Sequence, residues 1–303
     1  MGSIDVFSGC VPSVMPEFSP EFPSEAVSAF PVRRLRIDLS KGFDPLWNGG
    51  DAFRTHHLNA LSMSFPIGEQ FFIDAVRAGV AMLPEAERPA WAARVKGFVG
   101  QEATHRYVHA QYNAELARQG LRNRWEGWAA RRIARARELH PVNHVAVTAA
   151  LEHITAVLAT GVLTRAGWLA GADPRMTLLW RWHAVEESEH KAVAFDLYRA
   201  MGGSELRRRL WFIHSAGLFV IESTLQTWLN LWRAGCAGQP RTWWQGLKFM
   251  LGPGGVWPSI AGPLARYLRS GFHPAQVPDA PGLADWLREH ASTYSIVAST
   301  AAP

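Results

Sequence analysis

Apolar residues recur at three- and four-residue steps over most of the chain, the spacing of helices that bury one face. Asp51 stands as an N-cap before a helix through Phe53, His57, Leu58 and Leu61. Pro66 either kinks that helix or opens a new one capped by Ser64, and Phe65, Phe72, Ile73, Val76 and Val80 carry the apolar stripe past Glu69. Pro84 closes this helix, and Pro89 opens the next, which runs to about Gln119 before Gly120. A basic helical segment covers 125–140, and Pro141 starts a strongly apolar helix reaching about Leu169. Asp173 and Pro174 cap and open a helix that continues to Ala200, ahead of Gly202 and Gly203. Ser204 caps a long apolar helix through Trp211, Leu218, Ile221, Leu225 and Trp232 that Gly235 ends. Only 31–39 reads as a short strand or an extended lead-in, so the pattern predicts an all-α fold.

Prolines at 12, 16, 19, 23 and 31 break any period at the start, so 1–32 is read as an extended or disordered arm. Residues 33–303 are read as one helical domain, with a bundle core over about 51–200 and further helices over 204–303; a hydrophobic fraction of 48 % supplies the core. The net charge of +5 invites a nucleic-acid reading. Much of the excess lies in two short clusters, Arg131 to Arg137 and Arg207 to Arg209, which read as solvated helix faces, so no nucleic-acid partner is expected. Cys10 and Cys236 form no zinc-ligand spacing, and the first residues lack a signal peptide, which together suggest a cytoplasmic protein. The helix over 211–232 has membrane-like length but carries His214, Glu222, Gln226 and Asn230, and is read as the wall of an apolar pocket. Trp243, Trp244, Phe249, Met250 and Trp257 follow as a lid or homodimer contact, with peripheral membrane association as the alternative.

The candidate chemistry is concentrated in 180–190. On a helix His183, Glu187 and His190 share a sector of roughly 60°. Glu102 and His105 form a second Glu-x-x-His pair, with His109 one turn on. Glu152 is nearly the only charge in a run of small apolar residues, where a carboxylate without a cation would cost several kcal/mol. His153 points about 100° away and is read as structural or as an outer support. Glu69 is a buried-face carboxylate or, in the bland alternative, a first-turn acid favoured by the helix dipole. The order Glu69, Glu102-x-x-His105, Glu152, Glu187-x-x-His190 is that of the ligands in ferritin-like di-metal carboxylate bundles, which predicts a ferritin-like four-helix bundle with additional C-terminal helices. Such a donor set suits two iron ions, or manganese, better than zinc. Glu186 and Asp196 are candidate outer acids for the imidazoles.

The segments His56 to Glu69, Gln101 to His105, Ala150 to His153 and Trp182 to Lys191 resemble the bacterial family of predicted metal-dependent hydrolases over roughly 33–235. The His-x-x-x-Glu-x-x-His spacing of His183, Glu187 and His190 also resembles that of di-iron arylamine N-oxygenases, which implies His183 as a seventh ligand. The leading expectation is a non-haem di-iron oxidoreductase, a monooxygenase or oxidase. Such an enzyme takes dioxygen as co-substrate and an external electron donor, and hydroxylates, desaturates or N-oxygenates a small apolar or aromatic molecule. A metal-dependent hydrolase and an iron-handling ferroxidase are the alternatives.

Overall fold

The computed structural model describes residues 29–298, so most of the expected arm, Cys10 included, lies outside the described residues. The fold is all-α apart from one small sheet. Four helices build the core: α1 (Ala52–Ala81), α2 (Arg88–Arg118), α4 (Pro141–Thr164) and α5 (Pro174–His190), with α3 (Trp125–Ala136) in the crossover between the pairs. Asp51 caps α1 by accepting from the Arg54 N–H, and Asp173 caps α5 by accepting from the Arg175 N–H. Two apolar clusters sandwich the middle of the bundle. Leu58, Leu61, Tyr112, Trp180 and Trp182 lie to one side, and Phe72, Val76, Phe98, Val145 and Leu197 to the other.

Helix α1 runs unbroken through Pro66. Proline removes the N–H that Ser62 O would accept, and the neighbouring helix replaces it: Asn113 Nδ2 donates to Ser62 O at 2.9 Å. The two helices of this hairpin are thereby locked in register about two turns from Glu69. Asn113→Ala is expected to cost about 1 kcal/mol in urea unfolding, and less in a Pro66→Ala background, where the restored N–H serves Ser62 O.

Strand β1 (Val32–Leu35) pairs antiparallel with β2 (Tyr294–Ala298), tying the two ends of the described chain together. β1 lies against α2 at Gly100, where any Cβ would collide with the Val32 side chain. The single helix expected from Pro174 to Ala200 is divided: after α5, Lys191 turns out to Val277 O and Asp279, and α6 (Val193–Ala200) follows. α4 ends five residues before Leu169, where Trp168 folds back against Gly161.

Helix α7 (Glu205–Arg233) lies against the bundle, and its polar residues are paired there. Glu222 pairs with Arg132, Gln226 accepts from the N–H groups of Arg124 and Trp125, and Asn230 donates to His56 O. Its opposite face leaves Leu206, Leu210, Ile213 and Ile221 exposed. α8 (Pro240–Leu251) and α9 (Val256–Arg266) follow, then the short α10 (Leu283–Glu289) before β2. The basic cluster at 207–209 is not wholly solvated, as the pattern suggests, because Arg208 is fully buried. It donates to Tyr267 O and Arg269 O just beyond the C-terminus of α9 and pairs with Glu205, so carbonyls at a helix end and one carboxylate replace its water. Among the described residues one helix, α4, is long and apolar enough to cross a membrane by length and composition, and 72 % of its apolar window is buried inside the bundle.

Candidate metal centre

All seven residues singled out from the sequence meet in the middle of the bundle: Glu69 from α1, Glu102 and His105 from α2, Glu152 from α4, and His183, Glu187 and His190 from α5. Three groups have donor atoms within 4.8 Å of one another: Glu69, His105 and His183; Glu102, Glu152 and His190; Glu102, His105 and Glu187. Glu187 sits between the first two groups. Its Oε1 lies 3.0 Å from His183 Nε2 and 3.6 Å from both His105 Nδ1 and His190 Nε2. His190 Nε2 is also 3.0 Å from Glu102 Oε1 and 3.3 Å from Glu152 Oε2.

Each imidazole commits its other nitrogen to an outer partner. His105 Nε2–H donates to Glu186 Oε2 at 3.0 Å, and Glu186 Oε1 in turn accepts from the Arg33 backbone and guanidinium. His190 Nδ1–H donates to Gln101 Oε1 at 2.9 Å; the Gln101 amide points this way because its Nε2 donates to Glu189 and Pro31 O. For His183 the polarity follows from the far end of a chain of bonds. Asn113 Nδ2 donates to Ser62 O, so Asn113 Oδ1 accepts from the Ser62 hydroxyl at 2.8 Å. Ser62 Oγ then accepts from His109 Nδ1–H at 2.9 Å, and His109 Nε2 accepts from His183 Nδ1–H at 2.7 Å. In all three cases the nitrogen left with a free lone pair faces the carboxylates, the arrangement in which outer partners fix a ligating histidine.

Both oxygens of Glu69, Glu102 and Glu152, Glu187 Oε2, His105 Nδ1 and His190 Nε2 have no hydrogen-bond partner among the described residues. Burial, then Glu102 and Glu187, pushes Glu69 well above the usual carboxylate range, and burial, then Glu152, does the same to Glu102. Burial pushes Glu152 up to about 7 against the pull of His190. Burial also acts against His190, but Glu152 and Glu187 outweigh it and raise the imidazole. The same pairing, with His183, holds Glu187 low in spite of its burial. Four acids cannot all ionise here without cations, and carboxylate oxygens with imidazole nitrogens are the donors that divalent metal ions take.

Other candidates lie elsewhere. Asp196 is not an outer acid: it pairs with Arg94 and His273 near the surface. His109 supports His183 and belongs to none of the three donor groups. His153 is structural, its Nε2–H donating to Pro263 O at 3.3 Å and its ring packed on Tyr267 and Phe272. Burial lowers His153 from 6.5 to about 4, so in that window the unfolded chain takes up a proton that the folded chain does not. Its stability term is whole above about pH 6.5 and is lost as pH falls towards 4. Thermal melts of His153→Phe are expected to have a shallower fall over this window than those of the unsubstituted protein. Sequence reading missed Arg33, Gln101, Ser62 and Asn113. The visible signal was Gln101 beside Glu102, inside a quoted motif; Arg33 carried none, since its partners come from 153 residues away.

Fold and centre together define an all-α protein with a buried carboxylate–imidazole site of the type divalent metals occupy. The chain belongs to the family described as predicted metal-dependent hydrolases, whose model matches residues 31–277. No curated protein and no solved structure matches it. The match opens at the strand that carries Arg33 and extends past the resemblance read over 33–235 to Val277, which receives Lys191. Membership corrects the leading expectation. The family description is hydrolytic, so the oxidoreductase and monooxygenase assignment does not stand. Hydroxylation, desaturation and amine oxidation fall with it. The order of ligands along the chain reports how four helices converge; it does not fix the reaction, because the same donors can present a metal to water as well as to dioxygen.

Proposed function

We propose that this protein is a metal-dependent hydrolase with two divalent ions, iron or manganese, held by Glu69, Glu102, His105, Glu152, His183, Glu187 and His190. The observation that carries the reading is the outward commitment of all three imidazoles, to Glu186, Gln101 and His109, around carboxylate oxygens that have no partner. Two ions are favoured over one because the group of Glu69, His105 and His183 and the group of Glu102, Glu152 and His190 share no residue, with Glu187 between them. When bound, such ions would polarise the oxygen of a scissile carbonyl or phosphoryl group and acidify a water molecule. The chain's own part is to hold seven donors in place, to balance the ionic charge with four carboxylates, and to keep bulk water out with the two apolar clusters. Arg33 keeps Glu186 acting as the acceptor that orients His105.

The test is metal analysis by mass spectrometry on the purified full chain, followed by hydrolysis of an ester, amide and phosphoester panel under strict anaerobiosis. Two metals per chain and turnover abolished by chelation and restored by Mn(II) or Fe(II) are expected. Turnover unchanged in chelated, metal-free protein would refute the reading.

A further inference from the structure

A cavity of about 350 Å³ opens beside the centre, walled by α1, α3, α4 and α7. α4 lines it with His144, Val147, Leu151 and Thr155, and α7 with Trp211, Ser215, Leu218 and Glu222, each a single stripe at three- and four-residue steps. At the helical rise these stripes run roughly 16 Å, so the cavity is elongated and matches the length of an extended chain of about a dozen methylene groups. Most polar groups in the wall are already engaged. Thr155 donates to Glu152 O, Ser64 to Leu61 O and His144 to Ala136 O, Asn143 accepts from Trp211, and Arg132 neutralises Glu222. Glu69 is not: it lines the cavity, is 2 % exposed, and neither oxygen has a partner. The exposed residues of the lining, Arg135, Leu139 and His214, mark the mouth, some turns away from Glu69.

We propose that this cavity holds the uncharged, unbranched acyl chain of the substrate, so that the bond cleaved beside Glu69 is an ester or amide of a long-chain acid; this rests on the hydrolase reading above. Water splits the acyl C–O or C–N bond, its hydroxyl going to the acyl carbon and its proton to the leaving alcohol or amine, with no oxidant or reductant needed. An elongated, mainly apolar cavity selects a linear hydrocarbon by burial and shape, and penalises a buried charge by desolvation.

The probe is methyl cis-parinarate, a neutral fluorescent ester, titrated into metal-stripped full-length protein, while the metal-loaded protein is assayed for its cleavage. One saturable site per chain is expected in the metal-stripped form, with methyl laurate displacing the probe and pyrene failing to. Gly68 lines the cavity and a Cβ there meets nothing within 4 Å, so Gly68→Phe adds bulk to the lining without a clash at its Cβ. Gly68→Phe and, from the opposite wall, Leu151→Trp are each expected to weaken binding by roughly tenfold or more. Absence of saturable binding, displacement by pyrene as effective as by methyl laurate, or unchanged affinity in both variants overturns the proposal. Binding without cleavage by the metal-loaded protein overturns the acyl-ester assignment, while the hydrolysis panel above still tests the hydrolase reading, so the two failures are distinguishable.

Discussion

Replacing Glu187 with glutamine is expected to cut the metal content of the purified chain from two ions to one or fewer and to abolish the rise in melting temperature on adding metal. Glu187 Oε1 lies within 3.6 Å of one nitrogen on each of His105, His183 and His190, so this carboxylate is the side chain shared by both halves of the centre. Glutamine keeps its shape and removes its charge. The metal-free variant is expected to melt lower as well, because His190 and His183 hold the Glu187 carboxylate ionised in spite of its burial, and that charge stabilises the fold. Ligands that bind only the folded state stabilise it by mass action, and that further gain is also removed by the substitution. Metal analysis and paired thermal melts with and without Mn(II) check both effects. A variant that still carries two ions and melts with the full metal-dependent shift would remove Glu187 from the centre.

Arg33→Met is expected to cost about 3–5 kcal/mol in urea unfolding, the range for breaking one side of a buried ion pair. Arg33 and Glu186 are almost wholly buried, and the guanidinium bridges Glu186 and Glu189 while its backbone N–H also donates to Glu186. Burial pushes Glu186 up, Arg33 pulls it back, and Glu189 holds the guanidinium charged in spite of its own burial. Without the arginine, Glu186 is left as a buried acid facing His105, and the imidazole loses its fixed acceptor. Metal affinity is therefore expected to fall although Arg33 touches no candidate ligand atom, and adding Glu186→Gln is expected to recover part of the stability without recovering the affinity. Equal loss in the single and double variants would show that packing, not charge, holds β1 against α5.

How much of this was legible depends on distance along the chain. The Glu-x-x-His pairs and His183 are visible because helical geometry alone puts residues three and four apart on one side. Glu152 is visible because burying a lone acid among alanines and valines is costly enough to demand a reason. Asp196 misled for the same cause: proximity to Glu187 in sequence suggested a supporting acid, yet α5 stops at His190 and α6 carries Asp196 to Arg94 and His273. Arg208 misled because a run of three arginines reads as a solvated face, and nothing local announces the carbonyls beyond α9 that bury it. The oxygenase expectation failed at another level, since donor type constrains which metals fit far more tightly than it constrains what they do to a substrate.

By itself the sequence determined the helical class and the caps at Asp51, Asp173 and Ser204, and it singled out the seven candidate donors, because each of these follows from periodicity or from the energy of a single buried group. Only tertiary structure decided that Pro66 leaves α1 whole, that Arg33 reaches Glu186, that Asn113 sets the tautomer of His183 through Ser62 and His109, and that a mainly apolar cavity is lined by Glu69. Those features join residues tens of positions apart or more, and no local rule on propensity or spacing carries information across such separations until packing has brought the helices together.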